Sequence, residues 1–181
     1  MGRGRVTMVR ATKRDSLKVE DNFLSPEGFS QVESIFVDNF DFPWYFNNRI
    51  LQSATKGVDD YKIQFTHTFF RENTGIQSNF FQYLTPLIDA INPSVLLRVK
   101  ANLGTKTPTH VEGGYHTDFD FSCRTAVFYI NNNNGFTLFE DGNKVESKAN
   151  RFVSFNSNQR HTGVSQTDTN VRYVLNINYI I

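Results

Sequence analysis

Apolar and polar residues alternate with two different periods along this chain. Phe29, Val32 and Phe36 recur at helical spacing behind Ser25-Pro26-Glu27, a helix-entry signal, and predict a helix over about 26–38. Phe80, Leu84, Leu87, Ile88 and Ile91 restore that spacing, with a start or bend near Thr85-Pro86 and a stop at Asn92-Pro93. Between them, Tyr61, Ile63, Phe65, His67 and Phe69 alternate with Lys62, Gln64, Thr66 and Thr68, the period of a strand with one buried face. His67 falls on the apolar face and reads as a core histidine. From residue 95 onward the period is two throughout. Strands are predicted at Val95–Leu103, Tyr115–Phe121, Thr125–Asn131, Phe136–Phe139, Arg151–Phe155 and Val171–Ile181, with turns at Asn131–Gly135 and Asp141-Gly142-Asn143. Helices first and many short strands later predict a mostly β fold: an antiparallel barrel or jelly roll preceded by a supporting helical region.

Two strands carry an unusual polar face. In 172–179, Arg172, Val174, Asn176 and Asn178 lie on one side and Tyr173, Leu175, Ile177 and Tyr179 on the other. In 97–103, Arg98, Lys100 and Asn102 oppose Leu97, Val99, Ala101 and Leu103. A barrel lined with cations and amides and clad in apolar residues suits an anionic small molecule.

Composition narrows the class. The 181 residues are 14% aromatic and 20% charged, enough apolar payload for a single folded domain. A net charge of +1 gives no global field to hold nucleic acid or an anionic membrane. One cysteine excludes an internal disulfide and any cysteine-built metal cluster, which suits a reducing, cytoplasmic setting. No apolar run of membrane-spanning length occurs in the sequence. Residues 1–20 hold six basic and two acidic residues and read as a solvated basic tail. Residues 21–93 then supply supporting helices and strands, and 94–181 the barrel. The cluster FDFPWYF at 40–46 reads as core, with Trp44 placed to wall a pocket.

Only four histidines are present, His67, His110, His116 and His161. His116-Thr117-Asp118 puts an imidazole and a carboxylate on one face of a strand, and His161 is the natural third ligand. Two imidazoles and one carboxylate with open positions opposite are the ligand set of non-haem Fe(II) oxygenases. His110-Val111-Glu112 offers a second pair, but it runs into Gly113-Gly114, a poor platform for a fixed ligand.

The order YHTDF (115–119), TAVFYIN (125–131), NGFTLFE (134–140), NRFVSFNSNQRHTG (150–163) and RYVLNINY (172–179) closely resembles the Fe(II)/2-oxoglutarate-dependent oxygenases. The resemblance is to the prolyl 4-hydroxylase-like branch, as in phage-encoded proteins, and covers about residues 94–181. It implies a double-stranded β-helix, the jelly-roll or cupin-like barrel. It implies iron held by His116, Asp118 and His161, and the distal carboxylate of 2-oxoglutarate held by Arg172 with help from Tyr129. Asn102 and Asn176 would touch the cosubstrate. With O2 as oxidant, such an enzyme hydroxylates a C–H bond and releases succinate and CO2.

The sequence departs from the family at Asn102, where a tyrosine is usual, and at Gly135-Phe136, where Gly-Gly is usual. Asp118 separates it from halogenating relatives, and Asn178 from nucleobase-repair relatives, which place a second arginine there. The expected substrate is a peptidyl residue such as proline, met by Trp44, Tyr45, Phe46, Tyr115, Phe119 and the Asn131–Asn134 run. A free amino acid or other small metabolite is the alternative, with Arg98 or Lys100 holding a terminus; a non-catalytic jelly-roll binding module is the other. No nucleic acid or membrane partner is expected, and the expected location is cytoplasmic, the host's if phage-encoded.

Overall fold

A computed structural model describes residues 17–37, 39–48 and 63–181. Eleven strands are described: β1 (Lys18–Asp21), β2 (Tyr45–Asn47), β3 (Gln64–Arg71), β4 (Gly75–Ile76), β5 (Val95–Thr105), β6 (Arg124–Tyr129), β7 (Phe136–Phe139), β8 (Lys144–Glu146), β9 (Arg151–Asn156), β10 (His161–Val164) and β11 (Val171–Ile180). Two helices, α1 (Pro26–Glu33) and α2 (Thr85–Ile91), lie in the first half, α2 directly preceded by a 3-10 helix at Asn79–Leu84.

The strands form two antiparallel sheets among the described residues. The larger runs β1-β9-β6-β11-β5-β3-β2, with β4 beside β3, and the smaller runs β10-β7-β8. Bridges at Glu112–Val164 and His116–His161 bring the 112–116 segment alongside β10, as a fourth member of the smaller sheet. From β5 onward, successive segments alternate between the sheets, apart from the β7–β8 hairpin: the eight-membered winding of a jelly roll, as the sequence predicts.

Alternation along each central strand separates two cores. The outer face of the larger sheet, with Val99, Ala101, Ala126, Phe128, Leu175 and Ile177, packs against Val32, Ile35, Phe36, Leu84 and Leu87 of the helical region. The inner face contributes Val127, Tyr129, Val153, Phe155 and Val174, which meet Phe139 and Val145 of the smaller sheet. The helices therefore brace the back of the sheet whose front lines the barrel.

α1 begins where Ser25 accepts a hydrogen bond from the Gly28 amide, with Pro26 in the first turn. It ends at Glu33, short of the expected 38. α2 starts at Thr85 and stops at Asn92, left-handed at φ 48°.

Two expectations are corrected. The tail predicted for residues 1–20 ends sooner, because Lys18–Asp21 pair with β9 as an edge strand; Asp21 anchors it through Arg151 and Lys148. Residues 1–16 lie outside the described region, as do Tyr61 and Lys62 of the strand expected at 61–69 and position 38. The predicted strand Tyr115–Phe121 is a loop, touching the smaller sheet only at His116. It follows Gly113-Gly114, with Gly114 at φ 105°, and beyond His116 its Asp118 amide goes to the Ser157 carbonyl, outside either sheet. Its polar-apolar alternation therefore marks no sheet face.

Candidate metal centre

His116, Asp118 and His161 converge so that one ligand atom from each lies within 4.8 Å of the others. The backbone sets this up. His116 and His161 exchange both amide hydrogen bonds at 3.0 Å, locking the loop to the first residue of β10 and leaving the rings 4.6 Å apart. The His116 Nδ1 faces the Gly114 carbonyl at 3.2 Å and the His161 Nδ1 faces the Gln159 carbonyl at 3.0 Å. A carbonyl only accepts, so both rings carry a proton on Nδ1, and Nε2 is the nitrogen left to face a metal.

Asp118 is held from three sides. Arg98 Nη2 donates to Oδ1 at 2.9 Å, while Thr125 Oγ1 and Asn178 Nδ2 donate to Oδ2 at 2.8 and 3.0 Å. Arg98 Nε also donates to Asn178 Oδ1 at 2.9 Å, closing the network. Burial alone would raise the Asp118 pKa; the Arg98 charge, His161 and the two side-chain donors outweigh it and hold the carboxyl at about 2. Burial lowers the His161 pKa despite the opposing Asp118 charge. A charged carboxylate beside two imidazoles whose Nε2 atoms are not taken up by carbonyls fits a divalent transition metal such as Fe(II).

The centre opens on a cavity of about 630 Å³ inside the barrel. Arg98, Lys100 and Asn102 line it from β5, and Arg172, Val174 and Asn176 from β11, so the polar faces predicted for these strands do point inward. Arg172 donates from Nε to Ser147 Oγ at 2.8 Å and lies 5.4 Å from the Tyr129 ring centroid. No carboxylate pairs with it among the described residues. A Cβ on Gly135 would sit 2.9 Å from Arg172 Cδ, so the glycine leaves the space the arginine occupies. An unpaired guanidinium at a fixed place in the wall fits one end of a dicarboxylate.

Other predicted residues sit differently. Tyr129 is fully buried behind the wall; its hydroxyl meets Thr137 Oγ1 at 2.7 Å, and it is Thr137 that lines the cavity. Tyr129 contacts both Arg172 and Thr137 and is not among the residues that line the cavity. Asn102 and Asn176 both line it, and the Asn102 Oδ1 is buried without a partner.

His110 is outside the cluster, its Nδ1 on the Ser165 carbonyl at 2.7 Å. His67 is core, packed on Phe42 and Phe69. Trp44 does not wall the cavity but packs on Phe36, Phe42 and Tyr173. Phe119 lies under Arg98, Tyr45 and Phe46 stay exposed on β2, and the Asn131–Asn134 side chains are spent on their own turn and on 149, 167 and 171. The aromatic surface expected for a peptide is thus scattered. What sequence reasoning missed is Thr125 and Thr137, whose hydroxyls carry no pattern of their own.

No helix among the described residues is long and apolar enough to cross a membrane. No protein-family model and no curated protein sequence matches the chain. Solved structures do. A prolyl hydroxylase from Trichoplax adhaerens, in complex with a hypoxia inducible factor oxygen degradation domain peptide fragment, superposes with a TM-score of 0.63 at 15% identity, over 92% of this chain and 84% of that one. A 2OG-Fe(II) oxygenase family oxidoreductase from Burkholderia pseudomallei gives 0.63 at 9% identity, over 91% and 84%. A prolyl-4-hydroxylase from Pseudomonas putida gives 0.59 at 17% identity, over 92% and 94%. Across nearly its whole length, the chain has the fold of the 2-oxoglutarate- and Fe(II)-dependent oxygenases, the prolyl hydroxylases among them.

Proposed function

We propose that this protein is an Fe(II)- and 2-oxoglutarate-dependent dioxygenase that hydroxylates a C–H bond of an amino-acid residue, with a peptidyl residue such as proline as the expected substrate. The observation that carries this reading is the convergence of His116, Asp118 and His161 at the mouth of a cavity that also holds the unpaired Arg172. The shared fold with prolyl hydroxylases supports it, and the peptide in one of those complexes supports the substrate class.

His116, Asp118 and His161 would hold the iron. When bound, the iron supplies O2 activation coupled to the decarboxylation of 2-oxoglutarate to succinate and CO2. Everything else is done by the chain. The Gly114 and Gln159 carbonyls aim the imidazoles, and Arg98, Thr125 and Asn178 keep the Asp118 carboxylate charged and oriented. Arg172 takes the distal carboxylate of the cosubstrate by a charge-assisted hydrogen bond, with Ser147 and the Tyr129 ring fixing the guanidinium. The apolar inner core, Val127 and Val174 included, keeps that end of the cavity dry.

Succinate formation on adding Fe(II) and 2-oxoglutarate tests the reaction class; a binding module of the same fold yields none. Proline-rich peptides and free proline, offered separately, test the substrate: a +16 Da product, one oxygen atom, appears on the peptide. Oxidation of the free amino acid with untouched peptide would overturn the peptidyl reading and leave the chemistry standing.

A further inference from the structure

Arg172 and the metal account for both ends of 2-oxoglutarate, yet the cavity carries two more cations with no task. Lys100 projects from β5 between Arg98 and Asn102 and makes no hydrogen bond or ion pair with any described residue. Arg71 lines the same wall, also without such a partner. Its presence there depends on a β-bulge. β3 pairs Thr68 with Lys100 but Phe70 with Val99, so one extra residue is inserted at Phe69. Before the insertion Gln64, Thr66 and Thr68 line the cavity while His67 and Phe69 face the core; after it the parity flips, and Arg71 joins the cavity face opposite Arg98.

This arrangement is costly by itself. Like charges facing each other across strands repel, and an ammonium withdrawn from water without a partner is disfavoured. Burial and the Arg98 and Arg71 charges, opposed by Asp118, lower the Lys100 pKa to about 8. Arg98 is already committed to Asp118. The two positive charges of Fe(II) and the two negative charges of 2-oxoglutarate cancel, so the loaded cavity still sets four cationic side chains against one carboxylate. Beside Lys100, the Asn102 Oδ1 is a buried acceptor without a donor. The wall therefore lacks an anion, with a hydrogen-bond donor close to it.

We propose that Lys100 and Arg71 form a second anion subsite, separate from Arg172, that binds a carboxylate of the substrate, with Asn102 accepting from an N–H or O–H of the same molecule. The inference rests on the proposed function and narrows its substrate class. The hydroxylated molecule carries a free carboxylate near the reacting C–H bond, either the α-carboxylate of a small amino-acid derivative or an acidic side chain of a peptide.

The test uses the full chain loaded with Mn(II), whose paramagnetism broadens the NMR signals of nearby probes. Binding of 2-oxoglutarate is measured first; its absence would overturn the proposed function, whatever the subsite binds. With 2-oxoglutarate saturating, a pool of N-acetyl amino acids is compared with a pool of their amides, both including the aspartyl and glutamyl members. Wild-type protein should bind carboxylates at least tenfold more tightly than the matching neutral amides. Lys100→Met should abolish that discrimination and Arg71→Gln, at an exposed position, should reduce it. Binding confined to the aspartyl and glutamyl members, in both pools alike, would place the carboxylate on a side chain; binding of the whole acid pool would place it on the α-carbon. Binding of the uncharged amides as tight as that of the carboxylate-bearing members, no binding of either pool, or discrimination that survives both substitutions would overturn the subsite. So would loss of 2-oxoglutarate binding in Lys100→Met but not in Arg172→Met, which would give Lys100 to the cosubstrate.

Discussion

Two carbonyl oxygens, those of Gly114 and Gln159, decide what the site histidines can do. By accepting from Nδ1 they fix the tautomer, and the three ligands become a preset donor set. Replacing His116, Asp118 or His161 by alanine should therefore abolish turnover, whereas His110→Ala, outside the cluster, should turn over 2-oxoglutarate like the wild type. The Asp118 supports make a finer test. Thr125→Val removes one donor to Oδ2 with little change of volume, and lost outer-shell partners typically weaken metal binding about 10–100-fold. Mn(II) titration monitored by calorimetry should show that loss with an unchanged circular dichroism spectrum; unaltered affinity would mean that Arg98 and Asn178 suffice. Gly135→Ala probes the other end of the cavity. Its Cβ would lie 2.9 Å from Arg172 Cδ and from Asn133 Oδ1 and 3.0 Å from the Val164 carbonyl oxygen; the arginine, the flexible side chain that reaches the cavity, should shift, so the KM for 2-oxoglutarate should rise while Mn(II) affinity stays. An unchanged KM would show that Arg172 can shift without losing its carboxylate.

Short, regular elements were readable in the sequence where burial imposes a period. β5 and β11 each have one face in the outer core and one in the cavity, and both faces follow from alternation alone. The metal-bearing loop was not readable in this way, because alternation reports which side chains are buried and not where the amides bond. Asp118 and Arg98 could not be joined either, since one lies on a loop and the other on a strand 20 positions earlier. β1 and β2 are edge strands of four and three residues, too short for a period to stand out. β1 is held instead by charge. The Arg151 and Lys148 side chains hydrogen-bonded to Asp21 hold its carboxyl well below the usual carboxylate range. A depressed folded-state pKa means the stabilisation is present above the unfolded value, about 3.9, and is lost as pH falls through the folded one. Hydrogen exchange should show β1 amides losing protection on acidification below about pH 4, earlier than those of β11, and Asp21→Asn should remove the difference in pH dependence. Equal acid sensitivity of the two strands would show that side-chain packing, and not the ion pairs, holds β1.

At the scale of the whole molecule, the cavity lies on the front of a sheet whose back carries the outer core and whose inner core walls one end of the cavity, so ligand binding and folding are coupled. Neighbouring residues of β11 divide the labour: Leu175 packs on the helices, Val174 and Asn176 face the cavity, and Arg172 waits at its inner end. A ligand that binds only this arrangement stabilises the fold by mass action, about 2.7 kcal/mol at a concentration 100 times its Kd. For a chain of this size each kcal/mol is worth about 2–4 °C in Tm. Mn(II) at that level should thus raise the Tm by about 5–11 °C, and 2-oxoglutarate should add a second increment only when the metal is present. Arg172→Met separates the two contributions. It leaves the three metal ligands in place, so the metal increment should survive. It removes a hydrogen bond to a charged group worth about 1.5–3 kcal/mol, so the 2-oxoglutarate needed for the second increment should rise roughly ten- to a hundredfold. A melting curve that responds to 2-oxoglutarate equally in wild type and Arg172→Met would move the cosubstrate carboxylate to another cation of the cavity, with Lys100 the first to be tested.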